Sequence, residues 1–361
     1  MFEQYWKKIL RRKGLTLLAV PALLLWLASF LYRLLFAVKK ASTGEKIKIA
    51  TPLICIGNIT VGGTGKTSMV AFIARFLLDE GYHVGVVSSG YGRDIKTSFI
   101  QPGYKVQNMA TSETGDEVKL LANHLPQAIF SVGKIKTIAA QRLAENENVD
   151  IIIVDDGFQH FKLYRDIDIV TYDAGIHRKM IKLFPCGVLR EPLSSLKRAD
   201  IIIITRSNFA RDLSLLQNKL RKINGEAKHY HAQFSANELI SNNRTLPVKY
   251  LEDKSVFLFA GIGNFRALKR QVVALCADLD YALELADHQR YDNKLLHKIK
   301  ALAEKFDSDL ILTTEKDWVK IEDFDFGRQI YYLNQTIDLD PGEEKLINYI
   351  QKKLQLRKQA N

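Results

Sequence analysis

Cysteine is scarce in this chain. Cys55, Cys186 and Cys276 stand far apart, are odd in number and make no C-x-x-C pair or Cys/His ligand spacing. This pattern argues against a disulfide framework and a zinc site, and a reducing compartment is the simpler setting. Internal repeats of fixed period and low-complexity tracts are also missing. With 47% hydrophobic and 25% charged residues the composition is that of an ordinary globular protein, without a disordered bias. Acidic residues are the minority charge: 40 Asp+Glu stand against 52 Lys+Arg, a net charge of +12. Such an excess suits nucleic acid, an anionic membrane surface or a phosphorylated substrate. No aromatic–basic module supports a nucleic-acid binder, so that reading draws on charge alone. The N-K-x-D signature of base-specific NTPases does not occur. "GIGN", 261–264, lacks the third glycine of G-x-G-x-x-G and reads as a strand-to-helix turn. The length, 361 residues, is enough for two domains and too great for one comfortable core.

One further absence lies inside the most informative stretch. "TVGGTGKTS", 60–68, follows the apolar run "PLICIGN". The phosphate-loop pattern is G-x-x-x-x-G-K-[ST], and its first glycine is replaced by Thr60. What the chemistry requires is otherwise present. Gly62, Gly63 and Gly65 let backbone N–H groups approach phosphate, and the helix opening at Lys66 aims its positive dipole end at the anion. The nucleotide-binding stretch is Thr60, Val61, Gly62, Gly63, Thr64, Gly65, Lys66 and Thr67. Lys66 would reach the β/γ-phosphates, and the Thr67 hydroxyl would ligate Mg²⁺. Val61 stands where partitioning-type ATPases carry a signature lysine, which disfavours that class.

The N-terminus is apolar. Residues 15–32, "LTLLAVPALLLWLASFLY", carry no charge. Lys7, Lys8, Arg11, Arg12 and Lys13 precede them, and Arg33, Lys39 and Lys40 follow. The run is just long enough to cross a bilayer. A cleaved signal peptide would need an exported domain, which the adjoining nucleotide loop opposes. A full span and a helix embedded in one leaflet both fit. Cations at both ends favour the second, with both ends on the cytoplasmic side. A buried soluble helix would leave those cations without a role. Beyond 40, strands and helices alternate: strands at 53–57, 83–88, 128–132, 150–156, 166–172 and 200–206, and helices at 66–79 and up to about 146. The runs 151–154 and 201–204 are continuously apolar, as in parallel strands covered on both faces. A polar lapse at 234–251 marks a boundary. A second alternation follows, with strands at 255–260, 281–285 and 310–313 and helices between them and at 342–356. The fold expected is α/β: a P-loop NTPase-type doubly wound sheet, a second smaller α/β domain and an N-terminal membrane helix. The expected domains are 1–40, 41–240 and 241–361.

"IIIVDDG" places Asp155 and Asp156 at the C-terminal end of a buried strand, where P-loop folds carry the metal-binding carboxylate. In order along the chain stand "GNITVGGTGKT", "GYGR", "GDE", "DDGFQH", "LREP", "DH" and "TTEKD". In this combination the sequence resembles the tetraacyldisaccharide 4′-kinase family, the lipid A 4′-kinases of Gram-negative bacteria. The resemblance runs from Gly57 to Asp317. It implies transfer of the ATP γ-phosphate to the 4′-hydroxyl of a tetraacyldisaccharide 1-phosphate at the cytoplasmic face of the inner membrane. It implies ATP and Mg²⁺ as cofactors, a glycolipid and the lipid surface as partners, no nucleic acid and no obligate protein partner. Asp116 of "GDE" would be the general base, paired with His288 of "DH". The two fall in different expected domains, so domain closure would complete the base. Asp155, Asp156, Gln159 and His160 would lie at the metal and phosphates. Arg190 would neutralise the transferring phosphoryl group, and Glu191 would add a carboxylate near the metal. Tyr91 and Arg93 would face the substrate.

Several positions depart from the family pattern: Ser89 where arginine often precedes "GYG", Val118 and Val188 for prolines, Ser68 after the GKT, and Phe265 for the proline of "GNP". None removes a proposed catalytic group. The rival reading is a membrane-tethered ATPase or GTPase switch without a lipid acceptor. It would need a water-positioning residue and would hydrolyse nucleotide without lipid.

Overall fold

A computed structural model describes residues 19–242 and 244–360. A first helix, α1 (Ala19–Ala41), leads to β1 (Leu53–Asn58), α2 (Lys66–Asp79), β2 (Val84–Ser88), β3 (Phe99–Pro102), α3 (Asp116–His124), β4 (Ile129–Val132), α4 (Lys136–Asn146), β5 (Ile151–Asp155), β6 (Ile167–Asp173) and β7 (Ile201–Thr205). Then come α5 (Leu213–Ile223), β8 (Lys228–Ile240), β9 (Thr245–Pro247), β10 (Ser255–Ala260), α6 (Phe265–Val273), β11 (Asp278–Glu284), α7 (Asn293–Phe306), β12 (Leu310–Thr314), α8 (Glu315–Trp318), β13 (Ile330–Asp340) and α9 (Glu343–Ala360). These elements form two compact units. The first takes the described residues up to Val87, Ile135–Gln233 and those from Leu339; the second takes Ser88–Lys134 and Phe234–Asp338. Residues 88–134 thus group with the C-terminal half, not with the phosphate loop.

In the first unit the strands run β8-β7-β6-β1-β5-β2, all parallel. β1, β5 and β7 are buried along their whole length, which is why "IIIVD" and "IIIIT" show no alternation: both faces are covered. Parallel pairing brings the C-terminal ends of β1, β5 and β6 to one edge, the edge where ligands bind in open α/β sheets. In the second unit β11-β10-β12-β13 are parallel, and β3 and β4 form an antiparallel pair. Period-two alternation splits β10 between two cores. Val256 and Leu258 pack with α6 residues Leu268 and Val272, and Phe257 and Phe259 pack with α7 residues Leu296 and Ile299.

β8 and β13 have no counterpart in the sequence reading. Both mix half-buried and exposed positions, so "KHYHAQFSANELI" offers polar side chains where a covered strand would be apolar.

The expected membrane helix needs correction. Among the described residues no helix is long and apolar enough to cross a membrane. Arg33 lies inside α1, and Lys39 and Lys40 occupy its last turn. Placement at the inner-membrane face through this helix is withdrawn with it. The basic cluster 7–13 and residues 15–18 of the apolar run lie outside the described residues. What α1 does make are contacts within its own unit. Half-buried positions 25, 29, 32 and 36 recur at helical spacing. Ser29 Oγ donates to the Leu183 carbonyl (3.1 Å) and Tyr32 Oη to the Arg190 carbonyl (2.9 Å). Tyr32 meets Phe184, and Phe36 meets Phe161, edge-on.

Candidate active site

β1 delivers the chain to the phosphate loop, and the loop's entry is held by a distant segment. Arg190 N–H donates to the Ile59 carbonyl (2.7 Å), and Val61 N–H donates to the Val188 carbonyl (2.7 Å). Thr60 and Leu189 form the antiparallel bridge between them. Thr60 is therefore extended and makes no demand for a left-handed conformation, so its Cβ costs nothing and the first glycine is dispensable. Positive φ falls instead at Gly62 (101°) and at Gly65 (79°), the latter immediately before α2, where a Cβ would be strained. Thr64 is the loop's internal hub. Its hydroxyl accepts from Asn58 Nδ2 (3.0 Å) and bonds to Thr171 Oγ1 (2.7 Å), and its carbonyl accepts from Thr205 Oγ1 (2.9 Å). Arg206 donates to the Gly63 carbonyl (2.9 Å) and pairs with Asp173. The loop is thus tied down by its carbonyls and hydroxyl from below, and Val61, Gly62 and Gly63 are exposed above.

The carboxylates stand at the end of β5. Asp155 is buried, and Asp156 follows it in a left-handed conformation (φ 50°). Asp156 lies 3.5 Å from Lys66 Nζ and 3.2 Å from the Arg190 guanidinium. Burial works to raise its pKa, but Lys66, Lys136 and Arg190 outweigh it and bring it down to about 2. Lys136, at the start of α4, is almost fully buried and donates to the carbonyls of both Asp155 and Asp156, the latter at 2.9 Å. Gly57 must be glycine, because a Cβ there would lie 2.6 Å from Phe158 Cβ. Gln159 and His160 are half-buried just beyond. Burial, then Lys136, lowers the His160 pKa to about 4, so this imidazole is neutral at physiological pH. Glu191, expected near a metal, is fully buried; its Oε2 pairs with Arg198 at 2.9 Å. The Arg198 guanidinium also lies over the rings of Phe158 (4.2 Å) and Phe161 (5.0 Å). Among the described residues no three His, Cys, Asp or Glu side chains converge as a metal cage. Lys136 and Arg198 were not singled out from the sequence. A lysine opening a helix and an arginine in a polar stretch carry no signal without their tertiary partners.

The second unit holds the other expected pair. Gly115 (φ 85°) turns the chain into α3, whose first residue is the buried Asp116. Asp116 Oδ2 lies 3.1 Å from His288 Nδ1 and 3.3 Å from Lys320 Nζ. Asp116 and His288, expected in different domains, therefore belong to one compact unit. Burial opposes ionisation of Asp116, yet the His288 hydrogen bond, Lys320 and Lys316 carry its pKa well below the usual carboxylate range. The His288 pKa is raised, chiefly by its hydrogen bond to Asp116. The exposed Tyr91 ring meets the His288 ring edge-on at 5.4 Å. Arg93, expected to face a substrate, is instead buried and donates to the Thr97 (3.0 Å) and Lys96 (3.3 Å) carbonyls.

A lysine and a hydroxyl opening a helix behind a glycine loop, with a carboxylate at the neighbouring strand end, define a P-loop nucleotide-binding protein. The family model described as tetraacyldisaccharide-1-P 4′-kinase matches residues 21–355, and the chain belongs to that family. Among its relatives, a tetraacyldisaccharide 4′-kinase of Pelobacter propionicus is 33% identical over 332 residues, 88% of each chain. One of Geobacter metallireducens is 34% identical over 278 residues, 75% of this chain and 78% of the other. The crystal structure of LpxK from Aquifex aeolicus in complex with ATP superposes with a TM-score of 0.70 at 25% identity, covering 90% of this chain and 97% of that one.

Proposed function

We propose that this chain transfers the γ-phosphate of ATP to the 4′-hydroxyl of a tetraacyldisaccharide 1-phosphate, a lipid A precursor, with Asp116 as general base. The observation that carries the base assignment is the Asp116–His288 hydrogen bond, 3.1 Å long, on a carboxylate that two lysines keep ionised. A sugar hydroxyl is a weak nucleophile, and a positioned carboxylate can accept its proton as phosphoryl transfer proceeds. His288 orients that carboxylate.

On the phosphate side, the exposed loop 61–63 and the N-terminus of α2 receive the ATP phosphates, and Lys66 and Arg190 neutralise charge on the transferring group. Asp156 holds both cations in readiness at 3.5 and 3.2 Å. The oxygen donors at this end of the sheet, the Thr67 hydroxyl and the carboxylates of Asp155 and Asp156, suit Mg²⁺, which takes few protein ligands and completes its shell with phosphate oxygens and water. Bound with ATP, Mg²⁺ supplies charge neutralisation of the phosphates. Glu191 acts one layer out, through Arg198. Gln159 and His160 serve as polar groups on the phosphate side; Tyr91, in the second unit, stands against His288, and Arg93 acts by shaping the 93–97 loop beside Tyr91. The acceptor is an anionic glycolipid, which the net charge of +12 suits.

The test is phosphate transfer in mild detergent, with Mg-ATP labelled in the γ-phosphate and tetraacyldisaccharide 1-phosphate as acceptor. Wild type should move label into lipid, and Asp116→Asn should lower kcat by about 10²–10⁴-fold, the range of general-base contributions. Label released only as inorganic phosphate, indifferent to lipid, would favour a nucleotide switch and overturn the kinase reading. Asp116→Asn turning over at the wild-type rate would overturn the base.

A further inference from the structure

The motif "TTEKD", 313–317, carries Lys316, and with Lys320 just beyond it two ammonium groups stand on the Asp116–His288 pair. α8 begins at Glu315, capped by the Thr314 side chain, which accepts from Asp317 N–H. Asp317 is fully buried and anchors the turn: its Oδ2 accepts from Gly261 N–H (2.9 Å) and from Thr314 Oγ1 (2.7 Å). Lys316 and Lys320, four residues apart, project to one side of this turn. Lys320 Nζ lies 3.3 Å from Asp116 Oδ2 and 3.6 Å from Asp317 Oδ1. Lys316 Nζ lies 3.1 Å from His288 Nε2 and 3.5 Å from Asp287 Oδ1.

We propose that Lys316 is a positioning residue that fixes His288 as the neutral Nδ1–H tautomer. An ammonium has three donors and no acceptor, so at 3.1 Å it requires a lone pair on Nε2. The one remaining ring proton then sits on Nδ1 and donates to Asp116 Oδ2. Asp116 Oδ1, which accepts the Glu117 N–H at 3.0 Å, keeps a lone pair for the acceptor hydroxyl. Every charged group facing the ring enters this balance. Asp116 and Asp287 favour a second ring proton; Lys316 and Lys320 oppose it; Glu117, 3.9 Å from Lys316, tempers Lys316. The uncharged Tyr91 ring also meets the imidazole, centroid to centroid at 5.4 Å. A doubly protonated His288 would form a full ion pair with Asp116 and weaken the carboxylate as a base. Lys316 therefore keeps the pair in its more basic form. The catalytic consequence rests on the Asp116 assignment above; the tautomer itself does not.

The experiment uses the full chain labelled with ¹⁵N at histidine, with His288 assigned by loss of its signals in His288→Gln. Above the His288 midpoint, wild type should show a protonated Nδ1 and a pyridine-type Nε2. A protonated Nε2 would overturn the proposal, and this measurement needs no variant at Lys316. In Lys316→Met the His288 midpoint should rise by about 1 pH unit, as expected on removal of an adjacent like charge, and the acid limb of kcat should move up with it. Lys316→Arg should hold both near wild type. A folded Lys316→Met with an unmoved or lowered midpoint would overturn the proposal, whatever Asp116→Asn does to the rate.

Discussion

Two glycines in the first unit should fail in opposite ways when each is replaced by alanine. At Gly57 the added Cβ would lie 2.6 Å from Phe158 Cβ and 2.9 Å from Phe158 N. Carbon atoms pack at about 3.5–4.0 Å, so β1 and the loop after β5 must part by about 1 Å. Overpacking of this kind costs about 1–3 kcal/mol, or roughly 2–12 °C in Tm for a unit of this size. The loop that moves carries Asp156, which sets the positions of Lys66 and Arg190, and a 1 Å misplacement can cost about 10²-fold in rate. At Gly63 nothing lies within 4 Å of an added Cβ, and its backbone is not among the left-handed glycines. Gly63→Ala should therefore melt within about 1 °C of wild type, an exposed substitution free of special features. Its methyl group would occupy space on the loop's exposed side, and KM for ATP should rise about tenfold, the worth of one lost charge-assisted hydrogen bond. Thermal melting and steady-state kinetics on both variants separate the two effects. Gly57→Ala with wild-type Tm and kcat would refute the claim that this close approach positions Asp156. Gly63→Ala with an unchanged KM would refute the exposed loop as the phosphate seat.

Lys136→Met should remove the buried ammonium that donates to the Asp155 and Asp156 carbonyls, at about 1–3 kcal/mol, and should raise the Asp156 pKa from about 2. A depressed carboxylate pKa gives stability that is present above the unfolded value near 3.9 and lost as pH falls through the folded one. The Asp156 part of the Tm deficit of Lys136→Met should therefore be full near pH 7 and narrow as pH falls from about 4 toward 2; a melting profile from pH 7 to 2 parallel to that of wild type would contradict this. His288 has a raised pKa, so its contribution is complete below about 6.5 and is lost as pH rises through the folded value. The Tm difference between wild type and His288→Gln should be larger at pH 5.5 than at pH 8.5; an equal difference at both would remove the ionic part of the pairing.

The phosphate loop, its helix and the acidic strand end were legible because each is written in consecutive residues with a local geometric reason. The resemblance added Asp116, His288 and Arg190, which no local pattern marks. What could not be read was convergence. Lys136 is buried only because the turn after β5 folds over it, and Arg198 finds Glu191 and Phe158 only in three dimensions. The grouping of 88–134 with 234–338 depends on contacts between residues more than a hundred positions apart, so a boundary placed where the polar pattern lapses could not recover it. β8 and β13 escaped for a different reason, since partly exposed strands lack the apolar runs that revealed β5 and β7. The apolar N-terminal run was legible as hydrophobic but was read as a membrane helix, whereas Arg33 and the contacts of Ser29 and Tyr32 belong to a helix resting on its own unit.

The ladder between 59–61 and 188–190 has a consequence for the order in which the protein matures. Half of what shapes the nucleotide loop is synthesised more than a hundred residues after the loop itself. A nascent chain that has emerged only through β5 has every residue of the motif and no template to hold its entry. Competence to bind ATP then arrives late, when the 180s segment docks and Thr205 and Arg206 close on Thr64 and Gly63. Nucleotide protection against proteolysis should accordingly appear only in chains extending past Arg206, which makes ligand binding a report on how far the first unit has folded.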